Sequence, residues 1–337
     1  MNRLQKNKFL YSLTVTISSL ILSLFVNRGF LIIESVVGEE YKNIMLTDKF
    51  ESFGRLGHRL LTPMLSRLFE DIFIFNLLVL AIWLFYITYH LYDKYEQITL
   101  TLLIFSITTS QIILFTLNFG FYPDPLTVLL STIALFNIEK NNLFVFLGIL
   151  NLINNEIGFF IILFLVLVSR DFLKKIPYFL ITIFLYLIYR HFINLFIKNE
   201  SSGITTYLNE LKNFELDFFM LFGVFAGMKF LFVLFLTSEK SLIIFTYLLF
   251  YILVPLNMAV DYTRYGSLLV IILIWILKSE SFKFKDHIKS FAILVLVLNI
   301  ITPKYYIWGD QITYLRDSKL HFFDITGKNF QERGISN

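Results

Sequence analysis

Four stretches of the chain carry residue types that can do chemistry. Tyr122-Pro123-Asp124-Pro125, Asn154-Asn155-Glu156 and Asp261-Tyr262-Thr263-Arg264 each set a carboxylate beside amide, hydroxyl or guanidinium groups. The fourth collects Glu34, Glu39, Glu40, Asp48 and Glu51, followed by Arg55, His58 and Arg59. A carboxylate can take a proton from a hydroxyl, and arginines can hold a phosphate through paired N–H donors. Arg55, His58 and Arg59 fall within one or two helical turns, a spacing that serves a phosphate clamp or headgroup anchoring equally. Asp124, just before Pro125, reads either as a helix cap or as a site carboxylate. Glu156 precedes an apolar run, where the helix dipole favours a first-turn carboxylate. Asp261 and Arg264 are three apart, so they can pair on one helical face. Arg190, His191 and Lys229 lie in or near apolar runs, where a long cation can reach the interface.

Other chemistries are excluded or lack a motif. With no cysteine in 337 residues there is no disulfide, zinc thiolate or cysteine nucleophile. The sequence holds no Walker motif, GxGxxG, HExxH or GxSxG, and its five histidines have no metal-ligand spacing. The net charge of +4 is spread over short loops, which is not a nucleic-acid footprint.

The elements that must position these groups are apolar. Hydrophobic residues make up 57% of the chain and charged ones only 16%, with a mean hydropathy of +0.71. Apolar runs fall at 9–26, 72–91, 98–117, 125–137, 143–153, 157–168, 176–197, 216–236, 241–256, 266–277 and 289–301. Many are apolar all round, as helices in lipid are, and lipid allows no unpaired backbone. The expected fold is all-α: a polytopic integral membrane helical bundle with about eleven transmembrane or half-spanning helices. Residues 1–301 form the membrane domain and 302–337 a polar tail on the outer side, with Tyr305, Tyr306 and Trp308 near the interface. Arg3, Lys6 and Lys8 precede the first run, and Asn27-Arg28-Gly29 offers no small-x-small cleavage site, so 9–26 reads as an uncleaved span.

Charge sets the topology. With a cytoplasmic N-terminus, alternating segments place Lys94, Lys140, Arg170, Lys174, Lys175, Lys240, Lys278, Lys283 and Lys285 inside. Arg264 is then the one basic residue in the short outer loops. The pattern survives only if 143–168 breaks at Asn154-Asn155-Glu156 into two short helices meeting at an outward polar turn. All four chemical stretches then share the outer side, as expected of a common site. The long outer loop, 27–71, is expected to hold an interfacial helix. Its Leu60, Leu61, Met64, Leu65 and Leu68 share one face, with His58, Arg59, Thr62 and Arg67 mostly away from it.

This order of elements resembles the GT-C type of polytopic membrane glycosyltransferase. The matching elements are Glu39-Glu40-Tyr41, Arg59-Leu60-Leu61-Thr62-Pro63-Met64-Leu65, Asp124-Pro125, Asn155-Glu156 and Asp261 to Arg264. Two positions depart from the usual pattern: Glu stands for the commoner first Asp, and Asn155 where Arg is often seen. The resemblance implies transfer of a sugar from a polyprenyl-phosphate-linked donor to an envelope glycan or lipid acceptor, with inversion. It casts Glu40 or Glu39 as the base and Arg59, His58 and Arg264 as phosphate ligands. Asp124, Asn154, Asn155, Glu156 and Asp261 would bind sugar hydroxyls, orient the cations or hold a divalent ion, Mg or Mn. No other cofactor is expected. Partners would be the lipid-linked donor, the acceptor and membrane lipid. The competing expectations are a transporter or flippase of a lipid-linked or small polar substrate, and a lipid-linked polysaccharide polymerase. The expected location is a bacterial plasma membrane.

Overall fold

The structure is a computed structural model describing residues 3–26, 36–46, 59–110, 122–196, 241–251, 270–279, 287–301, 305–308 and 311–314. The 216–236 run, Arg55, His58, Lys229, Asp261 and Arg264 lie outside the described residues, as do the side chains of Glu39 and Glu40.

The described fold is helical. In order come α1 (Arg3–Val26), α2 (Val36–Leu46), α3 (Leu61–Ser66), α4 (Ile72–Leu91), α5 (Gln97–Thr108) and α6 (Asp124–Phe136). These are followed by α7 (Asn141–Asn154), α8 (Gly158–Val168), α9 (Phe172–Phe196), α10 (Ser241–Tyr251), α11 (Val270–Ser279) and α12 (Ile288–Ile301). Helix is thus found in every expected apolar run that the described residues include. The expected break is there too: α7 stops at Asn154 and α8 starts at Gly158. Asn155 leaves the helical backbone with φ −158° and ψ 127°, and its side-chain oxygen accepts the Ile157 N–H at 3.3 Å. A polar amide competing for its own backbone is what ends the helix.

Two described helices are long and apolar enough to cross a membrane, Ile72–Leu91 and Phe172–Leu195. Their outer faces are as apolar as their inner ones. On α4, Ile74, Leu78 and Ile82 point outward while Phe75, Val79 and Trp83 are buried. On α9, Leu180, Phe184 and Leu187 point outward. Such all-round apolarity suits a surrounding medium that is itself apolar.

Helix α6 sits at the centre, buried from Asp124 to Thr132 and packed on α4, α7, α8 and α11. Trp83 of α4, only 1% exposed, donates its indole N–H to the Thr132 hydroxyl of α6 at 2.8 Å. The α7–α9 contact is close because residue 148 is glycine. A Cβ there would lie 2.8 Å from Thr182 Cγ2, and the Thr182 hydroxyl is held by the Tyr178 carbonyl at 2.8 Å. Gly148→Val is therefore expected to cost about 1–3 kcal/mol in thermal unfolding of the detergent-purified protein. Thr182→Ser, which removes the clashing methyl, should recover part of that loss. Equal stability of Gly148→Val and the native chain would show that the helices separate freely here.

Lysines collect at one end of the bundle. Lys8 pairs with Asp93 at 2.5 Å, and Lys94 donates to the Lys278 carbonyl at 2.6 Å. Lys278 donates to the Leu135 carbonyl at 2.7 Å, while buried Lys175 donates to the Ile138 carbonyl and to Asn141 Oδ1. Cations placed on the last carbonyls of α6 and α11 satisfy orphan acceptors and oppose the helix dipoles.

The flanks carry further elements. Within 302–337 the described residues form a hairpin. Tyr305–Trp308 (β1) pairs antiparallel with Gln311–Tyr314 (β2), Trp308 opposite Gln311. That register leaves two intervening residues, Gly309 and Asp310, a pair that favours a tight hairpin. Within 27–71 the described residues include α2 and α3. On α3 Thr62, Pro63 and Ser66 are buried and Leu61 and Leu65 pack against the core, whereas Met64 is exposed. Thr62 bonds Asn154 at the α7–α8 turn, and Arg67 donates to the Ile44 carbonyl of α2 at 3.1 Å.

Candidate functional site

The α7–α8 turn lies at the end opposite the lysines, and four other segments converge on it. Asn154 is the hub. It is fully buried, and its amide makes four hydrogen bonds. Its Oδ1 accepts the Thr62 N–H at 3.1 Å and the Thr62 hydroxyl at 2.6 Å. Its Nδ2 donates to the Pro123 carbonyl at 2.7 Å and to the Thr127 hydroxyl at 2.9 Å. An asparagine amide offers two donors and two acceptor sites, so this one is filled by protein. Asn154 therefore positions the segments carrying Arg59, Asp124 and Glu156. The sequence reading, which counts it among substrate-binding groups, did not separate holding from binding.

Rungs of the same kind extend on either side. Asn155 Nδ2 donates to Asp124 Oδ1 at 3.0 Å, and both residues are buried. Asn151 Nδ2 donates to the Ser131 hydroxyl at 2.6 Å. Asp124, Thr127 and Ser131 on α6 thus face Asn155, Asn154 and Asn151, three amide rungs between two helices. Interhelical amide and hydroxyl bonds of this type fix register where apolar packing alone would let helices slide. Asp124 lies inside the first turn of α6, with Pro123 at the cap, so its carboxylate meets the next helix.

Glu156 joins the remaining parts. Arg59 Nη2 donates to Glu156 Oε2 at 3.0 Å, and Arg190 Nη1 donates to Glu156 Oε1. The three side chains are 11%, 28% and 29% exposed for Arg59, Arg190 and Glu156, at the edge of the packed interior. The Tyr186 hydroxyl lies 3.3 Å from Glu156 Oε1, and the Arg59 Nη1 donates to the Tyr41 hydroxyl at 3.3 Å. Tyr41 is buried on α2 with its ring edge-on to Tyr122, centroids 6.5 Å apart. Glu39 and Glu40 directly precede Tyr41 on α2.

The structure thus gathers Arg59, Asp124, Asn154, Asn155 and Glu156. His58, Asp261 and Arg264 lie outside the described residues. Tyr186, Thr62, Tyr41 and Thr127 join the site without an assignment from the sequence, and Arg190, read there as a cation near a helix end, joins it as a partner of Glu156. The signal for Tyr186 and Arg190 was there: they are four apart on one face of α9. Among the described residues no three His, Asp or Glu side chains gather as metal ligands. Asp124 is bonded to Asn155 and Glu156 to two arginines. No family model, no curated protein and no solved structure matches the chain.

Proposed function

We propose that the protein is a polytopic membrane glycosyltransferase that moves a sugar from a polyprenyl-phosphate carrier to a glycan or lipid acceptor at the end of the bundle away from the lysines. One observation carries this reading. Five segments far apart in sequence place a carboxylate-bearing helix, two arginines, an Asp–Asn pair and two tyrosines around one turn. The lysine-rich end opposite supports a cytoplasmic N-terminus.

In the proposed reaction Glu40, or its neighbour Glu39, accepts the proton of the acceptor hydroxyl. The acceptor oxygen bonds to the anomeric carbon as the carbon–oxygen bond to phosphate breaks, inverting the centre. The bonding electrons leave on the carrier phosphate, whose charge Arg59, Arg190, His58 and Arg264 stabilise. Asp124, Asn155 and Asp261 bind sugar hydroxyls.

The test is mass spectrometry of envelope and lipid-linked glycans from three strains: intact, deleted, and carrying Glu40→Gln. The expected result is a glycan one sugar short in both altered strains, since losing the base removes roughly 100- to 10,000-fold in rate. Unchanged masses in the deletion would sink the transferase reading. A defect in the deletion alone would take Glu40 out of the mechanism.

A further inference from the structure

The arrangement around Glu156 raises a question of competition. Arg59 comes from the segment before α3 and Arg190 from α9, and the two guanidiniums share one carboxylate, an oxygen each. A phosphate group bridging the same arginines would need its oxygens where Oε1 and Oε2 now sit. Phosphate accepts from guanidinium in the same forked geometry as a carboxylate, and with more charge. Glu156 is held on a turn, anchored by the Asn155 side-chain bond to Ile157 N–H on one side and by Asn154 on the other. The carboxylate can therefore be displaced at its tip while its backbone stays fixed.

We infer that Glu156 is a built-in competitor for a phosphate anion, holding Arg59 and Arg190 together until the anion replaces it. This rests on the proposed reading only for the origin of the phosphate. The binding site itself follows from the geometry. A resident carboxylate keeps two cations ordered at the edge of the apolar interior, where their mutual repulsion would otherwise part them. The occupant is a phosphate group, borne by a lipid or free.

The experiment uses the full-length protein in nonionic detergent, titrated with inorganic pyrophosphate or with dodecyl phosphate, each followed by thermal unfolding. Native protein, Glu156→Gln, Glu156→Asp and the double variant Glu156→Gln/Arg190→Gln are compared. Glu156→Gln is expected to bind at least about tenfold more tightly than the native chain, or about 1.4 kcal/mol. Adding Arg190→Gln should abolish that gain. Glu156→Asp keeps the charge but shortens its reach, so it should fold and show a smaller gain even if Glu156→Gln does not fold. A gain for dodecyl phosphate alone assigns a lipid-borne phosphate, and a gain for both assigns phosphate as such. Binding by the folded variants no tighter than native for both probes would overturn the inference. Tighter binding in Glu156→Gln alongside unchanged glycans in the deletion strain would keep this site and remove the transferase.

Discussion

Asn154→Leu is expected to lose about 3–5 kcal/mol of stability, enough to leave little folded protein after detergent extraction. The leucine matches the amide in size, so the loss is one of bonding rather than volume. Four hydrogen bonds vanish together, and the groups left behind are not equally served. The Pro123 carbonyl keeps the Thr127 N–H at 3.2 Å. The Thr62 N–H, near the start of α3, loses a buried acceptor, and an orphaned buried donor costs about 1–3 kcal/mol. The loss is cooperative because three segments come apart at one atom group. Asn155→Ala is the control. It removes the bonds to Asp124 and to the Ile157 N–H, and should cost about 1–2 kcal/mol. Thermal unfolding of both variants checks the order. If Asn154→Leu melts with the native protein, the hub does not hold the site.

Trp83→Ala should cost about 3–5 kcal/mol, because a fully enclosed indole leaves a cavity that fixed helices cannot close. Trp83 packs between α4 and α6 at 1% exposure and also donates to Thr132. Trp83→Phe separates the two contributions. It keeps most of the volume and drops the hydrogen bond. The Thr132 hydroxyl still donates to the Val128 carbonyl at 2.7 Å, so the expected loss is only about 1 kcal/mol. Reversible unfolding in mixed detergent with increasing dodecyl sulfate gives both values. Equal losses would mean that the hydrogen bond, not the packing, ties α4 to α6.

The helices and the break between α7 and α8 were legible in the sequence because each rests on a local pattern. The runs are long and apolar, and sorting of lysines between alternate ends required the chain to turn at Asn154-Asn155-Glu156. What was not legible depends on partners distant in sequence. The burial of Thr62 on α3 rests on a hydrogen-bonding partner 92 residues away. Arg190 reads as one cation near a helix end until Glu156, 34 residues earlier, is seen to meet it. The β1–β2 hairpin had a local signal in Gly309-Asp310, hidden by a segment that is polar on average.

The hub also fixes a depth. Asn76 of α4 donates to the Tyr122 carbonyl beside the polar turn, and α4 begins four residues earlier, at Ile72. Arg190 meets Glu156 while α9 runs on six residues to Phe196. At 1.5 Å per residue the flanking helices therefore stand about 6–9 Å taller than the turn they enclose. Helix α6 rises only about 20 Å, against about 30 Å of hydrocarbon in a bilayer. A bilayer matched to the short α6 would have to thin beside its taller neighbours, at a cost of a fraction of a kcal/mol per Å.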